Sequence, residues 1–218
     1  MKKLTDLSEN NSILTSWVNQ LRSVEIQNDR LRFRRNLERI GEIGAFEISK
    51  TLKFHEVNIQ TPLGKKSSFE FTKQPVVITI LRAGVPLFQG VLNYFDYADS
   101  GFVGAYRKHG DGNDFQIRQE YVTCPDIHAR PLIVTDPMLA TGASLAEAMY
   151  EILKIGKPSE IHILCAIAAR QGIQKIQSEF PDVHIWCGTI DENLDERGYI
   201  VPGLGDAGDL AFGSKLQK

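Results

Sequence analysis

The stretch LIVTDPMLATGASLAEAM, Leu132 to Met149, decides how the rest of the chain is read. An apolar, strand-like run, Leu132 to Thr135, stops at a carboxylate, Asp136, and Pro137 breaks it. The small residues Ala140, Thr141, Gly142, Ala143 and Ser144 follow, and then Leu145, Ala148, Met149, Ile152 and Leu153 recur at helical spacing. The pattern predicts a buried strand, a backbone-exposing loop and a helix whose unpaired N–H groups and dipole form an anion site. Ser144 with Glu147 also fits a capping box, which is sufficient by itself to start a helix. The two readings are compatible, because a cap satisfies only part of the donor set.

Outward from this stretch, short β-rich runs alternate with helical patterns. Strands are predicted over Val76 to Leu81, Phe102 to Tyr106, Leu132 to Thr135, Ile161 to Ala168 and His184 to Ile190. Helices are predicted over Val85 to Phe95, Leu145 to Ile155 and Gly172 to Phe180. Continuous apolar strands alternating with helices imply an α/β fold, a doubly wound and mainly parallel sheet flanked by helices. One interval, Arg107 to Arg130, has no crossover helix and reads as a β-hairpin arm, a candidate lid with Gly110 and Gly112 as flexible points. Ahead of the core, Asn28 to Leu52 repeats apolar residues at helical spacing, a shorter helix lies near Ile13 to Leu21, and Asn58 to Thr72 reads as two strand-like pieces joined by a turn.

At 218 residues the chain suits one domain. The expected division is N-terminal helices and hairpin over 1–75, an α/β core over 76–190 with its arm at about 107–130, and a C-terminal segment over 191–218. A net charge of -2 argues against a general polyanion binder. The five arginines between Arg30 and Arg39 suggest either RNA contact or a solvated helix face, and the intermixed Asp29, Glu38, Glu42 and Glu47 favour the face. Cys124, Cys165 and Cys187 show no metal or redox spacing, and no stretch approaches the length of a membrane span. A cytoplasmic protein with no membrane or nucleic-acid partner is the expectation.

Other phosphate-binding patterns are missing or misplaced. There is no G-x-x-x-x-G-K-[ST] motif. GLGDAG, Gly203 to Gly208, matches G-x-G-x-x-G, but only ten residues remain after it, too few for the helix and distant acid of a dinucleotide site. The five histidines have no metal-ligand spacing.

A strand ending in a carboxylate, then ATGAS and a helix, resembles the phosphoribosyl-diphosphate (PRPP) signature of type I phosphoribosyltransferases. Most of that superfamily carries two adjacent acids there, whereas Asp136 is followed by Pro137. In this respect DPMLATG resembles the uracil phosphoribosyltransferase family. ILRAG (Ile80 to Gly84), AYR (Ala105 to Arg107), GYIVPGLGDAGD (Gly198 to Asp209) and RLRFRRNLERIG near the N-terminus agree in order, so the resemblance covers most of the chain. Two departures stand out: Ala143 occupies the place of a second loop glycine, and Leu210 that of a common Arg or Lys.

The resemblance implies conversion of uracil and PRPP to UMP and diphosphate, with Mg²⁺ travelling on PRPP and no direct protein metal ligand. It assigns Asp136 to the ribose hydroxyls and the cationic sugar. Arg82 and Arg107 fall to the diphosphate, Pro137, Met138, Leu139 and Ala140 to Ser144 to the phosphate cradle, and Asp206 to a PRPP or metal-water contact. Ile200, Gly205, Asp206 and Ala207 fall to uracil, and a homo-oligomer, dimer or tetramer, is implied. The alternative is a pyrimidine-responsive RNA-binding regulator on the same fold, which would carry the paired acids that DPML lacks.

Overall fold

Alternation along each strand of the computed structural model divides the side chains between two covered faces. The structure describes residues 3–109 and 115–215, with backbone alone over 105–109 and 115–120. Val77, Ile133, Leu164 and Trp186 face one apolar cluster, while Val76, Ile78, Leu132, Val134, Ile163, Cys165, Ile185 and Cys187 face the other. A strand buried on both sides must be apolar throughout, which is why these runs show no polar alternation. Each fully buried Val, Leu or Ile contributes roughly 1.5–3 kcal/mol.

In chain order the elements begin with β1 (Leu4–Asp6), α1 (Ile13–Arg22) and α2 (Arg30–Ser49). An exposed hairpin, β2 (Phe54–Thr61) and β3 (Gly64–Phe71), follows. Then come β4 (Val76–Leu81), α3 (Val85–Leu92), β5 (Asp99–His109), β6 (Phe115–Thr123) and β7 (Pro131–Thr135). The second half runs β8 (Met138–Leu139), α4 (Ala143–Leu153), β9 (Glu160–Ala169), α5 (Arg170–Glu179) and β10 (His184–Asp191). It closes with β11 (Asn193–Leu194), β12 (Ile200–Val201) and α6 (Ala207–Phe212).

The main sheet has the order β1-β10-β9-β7-β4-β5-β6, with β8 added beside β9. All of these pairs are parallel except β5 with β6. The chain goes from β4 outward to β5 and β6, then returns to the opposite side of β4 with β7. Direction therefore reverses between β4 and β7, and ligands of open α/β sheets bind beyond the carboxyl ends of strands at such a point. Helices α1, α2 and α3 cover one face, and α4 and α5 cover the other. At the α2–α3 crossing, a Cβ on Gly41 would overlap the Leu87 carbonyl and one on Gly90 would overlap the Glu38 carbonyl. Only the missing side chains let these two backbones touch.

Several boundaries and one cap differ from the sequence expectation. The strand read as Phe102 to Tyr106 runs from Asp99 to His109, because it continues into the arm, where it pairs antiparallel with β6. The arm is thus an edge hairpin of the main sheet, and Gly110 and Gly112 lie outside the described residues. The capping box at Ser144 does not form: Gly142, left-handed at φ 79°, is the N-cap and makes no side-chain cap bond. Starting the helix at Ala143 places both Ser144 and Glu147 inside it. A reciprocal capping box does form at Ser12 with Thr15, where α1 begins. The edge strand β1 was not legible, since three residues carry no measurable period.

Candidate active site

Asp136 sits where the topology demands. Its strand β7 pairs with β4 as far as Thr79 and Thr135, so Asp136 and the Arg82 loop leave adjacent strands at the same end of the sheet. The buried hydroxyls beneath are satisfied: Thr79 Oγ1 donates to Thr135 O and Thr135 Oγ1 to Ile78 O, each at 3.3 Å. Asp136 N donates to Leu164 O at 3.2 Å, and its Oδ1 accepts from Met138 N at 3.4 Å. Burial pushes this carboxyl up to about 7, and the Met138 N–H only partly offsets it.

Beyond Asp136 the chain is tied back to the sheet. Pro137 O accepts from Ala166 N and Ile167 N at 3.1 and 3.0 Å, and Met138 and Leu139 pair with Ile167 and Ala168. Pro137 and Leu139 are buried, so they support the loop, while Thr141 at its tip is exposed. Thr141 Oγ1 accepts from Ala143 N at 3.3 Å, and Gly142 turns the chain into α4. Ala143 stands at the first helical position, where its φ is not positive, so alanine fits without strain. The Ser144 hydroxyl is free of any capping duty.

The C-terminal loop closes over the same place. A methyl group on Gly198 would lie 3.2 Å from Thr141 Cγ2, and one on Gly208 would lie 3.8 Å from Ala83 Cβ. The exposed Arg82 donates to Asp209 Oδ1 at 3.3 Å and to Gly213 O at 3.4 Å. Two cis peptide bonds frame this region, the non-proline bond Leu81–Arg82 and the X-Pro bond Val201–Pro202. Three segments therefore converge, residues 82–84, 140–144 and 198–209. Arg107 lies on β5 beyond the last β4 pairing, its backbone in register with Ile117; its side chain is outside the description.

Within the C-terminal loop the groups divide by role. Ile200 and Ala207 are buried in the apolar cluster, whereas Gly205 is exposed at φ 93°. Asp206 caps α6: its Oδ1 accepts from Gly208 N at 2.9 Å and Asp209 N at 3.1 Å, and its Oδ2 from Lys215 Nζ at 3.2 Å. Burial opposes its charge, but the hydrogen bonds from Asp209 N–H, Lys215 and Gly208 N–H together hold its carboxyl below the usual range. A helix does follow GLGDAG, but it has six residues and starts inside the motif, not after a core strand.

The arginines of α2 are mostly engaged by the protein itself. Arg34 Nη1 donates to Ala211 O at 2.7 Å, Arg35 pairs with Glu38 at 2.6 Å, and Arg39 lies over the Trp17 ring at 5.6 Å. Two functional candidates escaped the sequence reading, Arg22 and Asp191. Asp191 ends β10 in GTID much as Asp136 directly follows β7 in IVTD, so the same signal was there to be used.

Comparison with known proteins shows the family. The family model described as uracil phosphoribosyltransferase matches residues 8–214. A uracil phosphoribosyltransferase of Porphyromonas gingivalis is 49% identical over 211 residues, covering 96% of this chain and 98% of the relative. The structure of AQ2163 protein from Aquifex aeolicus superposes with a TM-score of 0.87 at 30% identity, covering 98% of this chain and 99% of that one. A purine phosphoribosyltransferase from Pyrococcus horikoshii superposes with a TM-score of 0.50 at 13% identity over 72% of this chain and 84% of its own, a likeness of fold. With its single strand-end acid, its glycine-bearing C-terminal loop and a family match over nearly its whole length, this chain belongs to the uracil phosphoribosyltransferase family.

Proposed function

We propose that the chain transfers the 5-phosphoribosyl group of PRPP to uracil, giving UMP and diphosphate. The observation that carries this reading is the meeting, at one switch point, of the Asp136 loop with the loop from Gly198 to Asp209. One segment is suited to a phosphorylated sugar and the other to a small planar base.

Breaking the bond at ribose C1′ puts positive charge on the ring and negative charge on the departing diphosphate, so stabilisation is needed at both ends. Asp136 holds the ribose hydroxyls and faces the developing cation. Ala140 to Ser144 take the 5′-phosphate through N–H and hydroxyl groups at the start of α4. Arg82, held among the described residues by two long contacts, swings to the diphosphate, and Arg107 of the arm joins it as a second planar donor. Ile200, Gly205, Asp206 and Ala207 present backbone to uracil. No nucleophilic side chain is required.

The donor set fits magnesium carried by the substrate. Among the described residues no group of three His, Cys, Asp or Glu forms a cage, and Pro137 takes the place of a second acid beside Asp136. Magnesium is commonly bound through one or two carboxylates and substrate phosphates; Asp136, Asp206 and Asp209 are acids on the segments that converge here. When bound, it supplies neutralising charge on the diphosphate.

Assembly as a dimer or tetramer and a cytoplasmic location complete the proposal. Among the described residues no helix is long and apolar enough to cross a membrane. The test is diphosphate release from PRPP and Mg²⁺ with a panel of free bases. Uracil alone should support rapid release; turnover with hypoxanthine or guanine and none with uracil would overturn the reading.

A further inference from the structure

The base loop is held in an unusual way at Gly203. Asp191, 7% exposed at the end of β10, receives both Arg22 nitrogens, Nη2 on Oδ1 at 2.7 Å and Nη1 on Oδ2 at 2.8 Å. The same two side chains grip one residue of the loop. Gly203 N donates to Asp191 Oδ2 at 3.0 Å, and Gly203 O accepts from Arg22 Nη1 at 3.0 Å. Gly203 has φ 54°, and a Cβ there would collide with the Ile200 carbonyl, so the turn accepts only glycine.

We infer that the Arg22–Asp191 pair positions the uracil-reading backbone, and that both are positioning residues for base affinity and selectivity. The inference rests on the function proposed above. A buried ion pair adds little net stability, since desolvation offsets most of its attraction. What a bidentate pair does supply is a planar, rigid frame. Here that frame fixes both polar groups of Gly203, two residues before Gly205. On either side, Ile200 and Leu204 are anchored in the core, and Gln27, with its amide nitrogen turned to the loop, donates to Leu204 O at 2.8 Å. The loop's own hydrogen bonds use the N–H groups of Gly198, Tyr199, Gly203, Gly208 and Asp209. The N–H groups of Gly205 and Asp206 take no part in them among the described residues, so their aim is set by where Gly203 is pinned. A misplacement of about 1 Å at a reacting site lowers rate on the order of a hundredfold, so a pinned hinge has a measurable effect.

Arg22→Lys tests this with the charge retained, so that Asp191 keeps a cation beside it; an ammonium cannot serve both carboxylate oxygens and Gly203 O in one plane. Steady-state kinetics should show KM for uracil raised about tenfold or more, KM for PRPP within about twofold, and the preference for uracil over cytosine reduced about tenfold. Asp191→Asn should move the same parameters further in the same direction. If Arg22→Lys leaves KM for uracil and the base preference unchanged, or shifts both substrates' KM and kcat equally, the positioning role is overturned. Should the unmodified protein not use uracil at all, the proposed function fails first, which separates the two results.

Discussion

The proposed reaction needs Asp136 as an anion, in surroundings that favour the neutral acid. Burial moves its carboxyl from 3.8 to about 7, so the folded protein binds this proton more tightly than the unfolded chain does. The favourable contribution is complete below the unfolded value and is lost as pH rises from there through about 7. That window is worth about 4 kcal/mol at most, a ceiling because the residue keeps partial exposure. Asp136→Asn removes the ionisation and leaves the shape. The variant should therefore melt above the parent at pH 8, with the difference shrinking to nearly nothing at pH 4; thermal scans across pH check it, and equal melting at pH 8 would refute the cost of ionisation. Activity should go the other way. Losing the charge should lower kcat on the order of a hundredfold or more. In the parent, kcat/KM should climb about tenfold per pH unit up to about 7, as the carboxylate forms, and a flat profile from pH 5 to 8 would contradict this.

Helix α2 shows what the sequence made legible at the level of elements and what it hid. The stripe Leu31, Leu37, Ile40, Ile43, Ile48 and Leu52 announced a core-facing helix; Leu37, Ile40, Ile48 and Leu52 are buried, Ile43 is partly buried, and Leu31 in the first turn is exposed. The ends were less readable, because capping depends on backbone geometry: Gly142 takes the cap that the Ser144 and Glu147 pattern advertised. Hidden too was the contact between α2 and α3, since a glycine in a helix gives no sign of which backbone it touches. Gly90→Ala should force the two helices apart, because the added Cβ meets the Glu38 backbone and no side chain can yield. Urea unfolding should show a loss of roughly 1–3 kcal/mol or more with an unchanged slope. Gly64→Ala, at the start of β3 with open space around it, serves as the control and should change stability by less than about 0.5 kcal/mol. Similar effects at both positions would mean that the crossing is not tight.

On the proposed function, base selectivity belongs to the whole molecule, because the loop assigned to the base is held by parts far apart in the chain. Arg22 of α1 and Asp191 of β10 bind it from behind, Arg34 of α2 holds helix α6 at the loop's end, and Arg82 and Thr141 meet the loop at the cleft. The motifs at the front were legible, since small residues, glycines and strand-end charges cluster in sequence. The support behind was not, because Arg22 and Asp191 stand 169 positions apart and only folding joins them. A loop fixed on so many sides cannot reverse its hydrogen-bonding pattern for a different base. Uracil offers acceptor, donor, acceptor along O2, N3–H and O4, whereas cytosine has an acceptor at N3 and a donor at N4. Each mispaired buried group costs roughly 1–3 kcal/mol, so two reversals predict at least about a hundredfold lower kcat/KM for cytosine. Gly205→Val should abolish uracil turnover, because the residue sits at φ 93°, a conformation a β-branched side chain does not adopt without strain. PRPP binding to that variant, measured by calorimetry with Mg²⁺, should persist, because the cradle from Ala140 to Ser144 is built on β7, β8 and α4 and does not depend on Gly205. Comparable turnover of cytosine and uracil by the parent would rule out reading by a fixed backbone, whatever the valine variant did.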